Sequence, residues 1–237
     1  LVDEQWYLLP MNASSTNPVL YELSDDWQTV TQLTTYNSVT HHSDTTVFKD
    51  PNADRWWLFT GEPTNAAGDP EGDLFIYYTS DFRNDNWTEH SDSPYSFSED
   101  GVWRPGGRPH IHQDSVDIVM MDNTDGYGEE MLLYRTQTLN ESTVDLAQLS
   151  GNPVTKGTGY PKAWDFGALH HIDHHYSRAG NDVVIVDGRG NYGGGNYSIG
   201  IFTTSSQPAA SANLKLSSDQ TAIPNATQTK IAFDATN

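Results

Sequence analysis

The sequence predicts an all-β fold, a β-propeller, from three observations. Its apolar residues fall in short runs rich in aromatic and β-branched types, bounded by Gly, Asn, Asp or Pro. One aromatic two-strand unit returns at intervals of about 50 to 66 residues, the size of a propeller blade. No stretch keeps a 3.6-residue period over three turns, so helix is nearly absent.

The first copy of the unit is Trp6-Tyr7-Leu8-Leu9-Pro10 followed by Val19-Leu20-Tyr21-Glu22-Leu23 and Trp27. The second is Trp56-Trp57-Leu58-Phe59-Thr60 followed by Phe75-Ile76-Tyr77-Tyr78-Thr79, closed by Trp87. The third runs from Val116 to Met121 and then Met131-Leu132-Leu133-Tyr134-Arg135, and the fourth is Val183-Val184-Ile185-Val186-Asp187 with Ile199-Gly200-Ile201-Phe202-Thr203. Each of the last three copies has an earlier strand: Asp44-Thr45-Thr46-Val47-Phe48, Arg108-Pro109-His110-Ile111-His112, and His170-His171-Ile172-Asp173-His174. In a propeller that strand lies nearest the axis. The first copy has no such strand, so the expectation is a five-bladed propeller over residues 1–206 with four blades visible, the first partial. Residues 207–237 are expected to hold a linker, opening Pro208-Ala209-Ala210-Ser211-Ala212, and the start of a second β domain.

Composition narrows the function. The formal net charge is -20, from 32 acidic and 12 basic residues, of which only five are lysines. Such a surface repels nucleic acid and anionic membranes, and no run of about 18 apolar residues provides for membrane insertion. Abundant Trp and Tyr argue for a folded acidic protein, and the charge with few lysines points to a halophilic source. With no cysteine, neither a disulfide nor a thiolate metal site is available. Both ends read as cut, and sequons stand at Asn12, Asn86, Asn140, Asn196 and Asn225.

Eight of the nine histidines (His41, His42, His110, His112, His170, His171, His174, His175) lie in or just before the predicted axial strands. Asp44, Arg104, Arg108 and Asp173 stand beside them. A funnel lined by His42, Asp44, Arg104, Arg108, His110, His171 and Asp173 would suit a sugar or another polyhydroxyl ligand; the bland alternative is that these groups only tie blades together. Glycoside hydrolysis would need two carboxyls, one kept protonated. Asp44 is the best candidate base, while Glu62, Asp173 and Glu130 all lie at strand ends as acid partners and no signature selects among them. The run His170 to His175 places His171, Asp173 and His175 on one strand face, but over nearly 14 Å, so no metal is assigned to it. Asp122-Asn123-Thr124-Asp125-Gly126 lacks the ligands of an EF-hand and reads as a turn where calcium is at most incidental. No cofactor is otherwise expected.

The segments Ser43-Asp44-Thr45-Thr46-Val47-Phe48, Arg55-Trp56-Trp57-Leu58-Phe59 and Tyr77-Tyr78-Thr79-Ser80-Asp81 resemble five-bladed propellers related to glycoside hydrolase family 43. With Arg104-Pro105-Gly106-Gly107-Arg108, Leu133-Tyr134-Arg135 and Leu169-His170-His171-Ile172-Asp173, the nearer resemblance is to the N-terminal propeller of glucosamine inositolphosphorylceramide transferases. The resemblance implies a sugar-handling propeller with Asp44 at its site; the acid glutamate of the inverting hydrolases has no counterpart that can be placed. The tail, with Ile223-Pro224-Asn225 as a turn before Lys230-Ile231-Ala232-Phe233-Asp234, resembles the start of the C1q-like or jelly-roll knobs of phage and archaeal-virus fibres. That implies a trimeric virion surface protein (tail fibre, spike or turret) on the outside of a halophilic virus, meeting host-surface glycan or glycoprotein and other virion proteins. A glycoside hydrolase acting on that glycan, and a purely structural virion decoration, are the alternatives.

Overall fold

The computed structural model describes residues 2–3, 5–11, 17–62, 72–97, 101–124, 128, 130–149, 155–156, 168–176, 182–189 and 197–203. They form sixteen strands in four sheets whose neighbouring strands all pair antiparallel. The first blade is β1 (Trp6–Leu8), β2 (Val19–Leu23) and β3 (Val30–Thr35) in that order. The second is β4 (Thr46–Lys49), β5 (Trp56–Glu62), β6 (Asp73–Thr79) and β7 (Thr88–Glu89). In the third, β8 (Val102–Pro105) and β9 (His110–Ile111) both pair with β10 (Val116–Asp122), followed by β11 (Glu130–Asn140) and β12 (Thr143–Gln148). The short β13 (Thr155–Lys156) also pairs with β11. The fourth blade is β14 (Ala168–Tyr176), β15 (Asp182–Arg189) and β16 (Tyr197–Thr203). The expected all-β propeller is what the chain forms, with four blades among the described residues. The linker and second β domain expected over residues 207–237 lie outside the described residues.

Strand alternation explains why the central runs are apolar throughout rather than every second residue. Trp57, Phe59, Leu74 and Ile76 of the second blade pack with Ile118, Met120, Leu132 and Tyr134 of the third. Their neighbours in sequence, Trp56, Leu58, Phe75 and Tyr77, point the other way and pack with Leu20, Tyr36 and Val39 beside the first blade. In the same manner Val119, Met121 and Met131 turn to Leu169, Ile172 and Val186 of the fourth. A sheet buried on both faces has no polar side, and face-to-face stacking of blades is the arrangement that buries it.

The axial edge of the third blade differs from the expected strand over residues 108–112. It begins earlier, at Val102, and is interrupted between β8 and β9. Pro105 and Pro109 have no N–H to donate, and Gly106-Gly107 lets the chain leave the ladder between them. At this break the third and fourth blades meet. Ile172 N–H donates to the Gly106 carbonyl at 2.7 Å, and Gly107 makes a parallel bridge to Ile172. Gly107 has φ +143°, and a Cβ there would overlap the Ile172 carbonyl oxygen, so only glycine permits this approach.

Candidate functional site

Asp44 sits in the loop before β4, at the end of the axis where that strand begins. Its backbone is left-handed, at φ +50°. Aspartate tolerates this region better than most residues, but the conformation still needs support from the surroundings. That support is a hydroxyl network on β5. Thr60 Oγ1 accepts from the Ser43 N–H at 3.0 Å, Thr45 and Thr60 hydroxyls lie 2.8 Å apart, and Gly61 N–H donates to the Ser43 carbonyl at 2.8 Å. His42 closes the network through Nδ1, 3.0 Å from Thr45 Oγ1, and burial holds its imidazole below the ordinary histidine range.

The Asp44 carboxylate is 8% exposed and ion-paired to the Arg104 Nε of β8, sixty residues away in sequence. On its other side His170 Nε2 lies 3.8 Å from Asp44 Oδ2, and the opposite ring nitrogen lies 3.4 Å from Asp187 Oδ2. The irregular register between Leu169 and His171 is what makes this reach possible, because a bulge turns His170 towards the side chain of Asp187, whose register partner is His171. Three blades thus converge on one carboxylate.

One step further along the axis Arg108 Nη2 donates to Asp173 Oδ2 at 3.1 Å. Asp173 Oδ1 and Asp187 Oδ1 are both buried with no hydrogen-bond partner among the described residues. An orphaned buried acceptor costs about 1–3 kcal/mol, so two on adjacent strands mark a place where donors are wanted. His171, on the same strand as Asp173, reaches solvent. The surrounding protein, with His170 nearby, holds its imidazole below the ordinary range against the pull of Asp187 and Asp173.

Glu62 lies at the end of β5 with His41 Nδ1 3.2 Å from its Oε2, and the His41 ring is stacked on Phe75 at 3.4 Å. The structure therefore brings Asp44, Arg104, His170 and Asp187 into one connected group, and Arg108 with Asp173 beside it. It places Glu62 on its own partner, His41.

His110 is not part of that group. Arg104 pairs with Met121 and His110 with Asp117, four residues apart on β10, so the two stand about 13 Å apart along the axis. His110 belongs to a second cluster at the far end. There Arg135 Nε and Nη2 donate to the two oxygens of Asp117 at 2.6 and 2.8 Å, and His112 Nε2 lies 2.7 Å from Asp117 Oδ2. Burial opposes ionisation of Asp117, but the bonds from Arg135 and His112 outweigh it and hold the carboxyl below its ordinary 3.8. The residues expected to line one funnel fall into two clusters offset by about 13 Å along β10. At Asp122-Asn123-Thr124, Asp122 Oδ1 caps the Thr124 N–H at 2.8 Å, the turn that was expected; residues 125 and 126 lie outside the described residues.

Asp187 and Asp117 were missed as site residues, although each carried a signal. Both stand inside runs of apolar strand residues, where a carboxylate must have a partner.

In fold the chain is similar to enzymes that act on sugars. It overlays an endo-arabinase from Bacteroides thetaiotaomicron with a TM-score of 0.56 at 15% identity, over 86% of this chain and 72% of that one. A GH32 β-fructofuranosidase of Bombyx mori gives 0.51 at 12% identity, over 86% of this chain and 44% of the enzyme. The family of the N-terminal domain of glucosamine inositolphosphorylceramide transferase 1 matches residues 2–189, and the chain belongs to that family. No curated protein matches it in sequence.

Proposed function

We propose that this propeller recognises a saccharide at the mouth of its axis, around Asp44, Arg104, His170 and Asp187. The observation that carries the reading is the group itself. A strained, buried aspartate is held from two other blades, beside two carboxylate oxygens that have no donor among the described residues. Sugar hydroxyls are donors and acceptors at once, and would satisfy Asp173 Oδ1 and Asp187 Oδ1 while accepting from Arg104, Arg108 and the histidines. The two arginines are matched by Asp44 and Asp173, which leaves Asp187 as a carboxylate of the group with no arginine against it. A neutral or amino sugar fits that balance; an acidic one does not.

Hydrolysis is the second reading, favoured by one observation. A single imidazole, His170, lies between Asp44 and Asp187, so their oxygens are no more than about 9.5 Å apart, close enough for either the roughly 6.5–9.5 Å of inverting or the roughly 5–5.5 Å of retaining glycosidases.

The setting proposed with this function is extracellular: a homotrimeric virion surface protein of a halophilic virus, meeting a host glycan. Its support is the net charge of -20 and the alternating tail. A fold that requires molar salt, and a trimeric mass in solution, are the expected results; a monomer stable in dilute buffer would remove that setting without touching the site.

The site is tested on an array of neutral, amino and acidic oligosaccharides with wild type and Asp44→Asn, followed by a reducing-sugar assay on whatever binds. Binding of neutral or amino sugars that Asp44→Asn abolishes, with no sugar released, is the expected result. Release lost in Asp44→Asn would establish hydrolysis instead, and no binding by a folded wild type would overturn both.

A further inference from the structure

We propose that His110 and His112 form a chelate for a borderline divalent transition metal (zinc, nickel or copper) at the far end of the axis, apart from the saccharide site. The two residues are i and i+2 around β9, so their side chains leave one face while Ile111 between them, 45% exposed, leaves the other. Their rings lie 4.5 Å apart at 34°. A nitrogen from each, together with an Asp117 oxygen, falls within 4.8 Å of the others. Metal–nitrogen bonds of about 2.0–2.1 Å at a tetrahedral angle put two ligand nitrogens roughly 3.4 Å apart. The two imidazoles, with ring centroids 4.5 Å apart, stand close enough to share one ion.

Asp117 has a different part. Both its oxygens are engaged by Arg135, which disfavours direct coordination to a cation. Its contact with His112 Nε2 at 2.7 Å instead fixes that ring and turns Nδ1 outward. A carboxylate on the far nitrogen of a metal-binding imidazole sets the tautomer and raises its basicity, which is the common supporting arrangement of histidine metal sites. Arg135 then serves to keep Asp117 ionised and in place. Imidazole ligands select zinc, nickel or copper over calcium and magnesium, which require oxygen cages. The chain's net charge of -20 draws cations of any kind to its surface, so selectivity is the informative property.

The test is calorimetric titration of zinc, and separately nickel, into the purified chain, with histidine ring resonances followed by NMR. One site per chain is expected, with the His110 and His112 resonances moving first and an excess of calcium failing to compete. His110→Gln and His112→Gln should each weaken the site at least tenfold, and Asp117→Asn by about 10- to 100-fold. His41→Gln and His170→Gln should leave it unchanged. Circular dichroism establishes that each variant is folded; the two glutamine variants, at half-buried positions, serve if Asp117→Asn is not. Absence of zinc and nickel binding by the wild type, undiminished binding by both glutamine variants, or an equal loss in His170→Gln would overturn the proposal.

Discussion

At the mouth of the axis Asp44 meets Arg104 from a backbone held at φ +50°, across two blades, whereas at the far end Asp117 meets Arg135 directly opposite it in the ladder of two regular strands. The residue types are the same and the local cost is not. Asp117 and Arg135 form an ordinary cross-strand pair that reinforces its own sheet. Asp44 and Arg104 hold a strained turn that no sheet requires, and strain concentrated at a polar concavity is what binding sites carry at the expense of stability. The far-end pair therefore reinforces its own sheet, and the mouth pair carries a strained turn that supports the recognition role proposed for it.

The contrast can be broken most severely at the seam between the ends. Gly107→Ala sets a Cβ against the Ile172 carbonyl in a backbone region closed to alanine, and should lower unfolding free energy by about 3 kcal/mol or more in denaturant melts. An unchanged midpoint would mean that the third and fourth blades do not meet as described. Next in size, Asp117→Asn removes charge from its bonds to Arg135 and His112 and should cost about 1–2 kcal/mol, less than a fully buried pair because Arg135 is 38% exposed. Asparagine accepts the left-handed backbone at position 44 at least as well, but Asp44→Asn takes the charge from a more deeply buried ion pair (8% and 12% exposed) and should cost at least as much as Asp117→Asn.

Acid should separate the same two regions in order. His42 and His171 have pKa values below the ordinary histidine range in the fold, so the unfolded chain takes up their protons first. Stability from the mouth is complete above the ordinary histidine pKa of 6.5 and declines as pH falls below it. Asp117 has a lowered pKa, so its contribution is present above the ordinary 3.8 and is lost only as pH falls below that value. A pH series of melts should show an early loss that disappears in a His42→Gln, His171→Gln double variant, and a late loss that disappears in Asp117→Asn. One undivided transition would remove the distinction.

The sequence made the blades legible because their signal is local: aromatic runs such as Trp56-Trp57-Leu58-Phe59 repeat, and their unbroken apolarity follows from burial on both faces. Asp44 was legible from its place before an axial strand. What could not be read was register. Eight histidines near the axis looked like one funnel, but the Gly106-Gly107 break displaces β9 along β10 and sends His110 and His112 to the other end. The bulge at Leu169/His171 likewise decides that His170 reaches Asp187, and nothing in the run of histidines announces it.

The central claim is that the mouth, and not the far end, recognises saccharide. It is tested most directly by measuring the binding of one array-selected neutral oligosaccharide by calorimetry to wild type, Asp44→Asn and Asp117→Asn, each verified as folded. The account predicts that Asp44→Asn, once verified as folded, loses binding at least tenfold while Asp117→Asn, also less stable than wild type, binds as wild type does. Equal binding by wild type and Asp44→Asn, or loss only in Asp117→Asn, would contradict it.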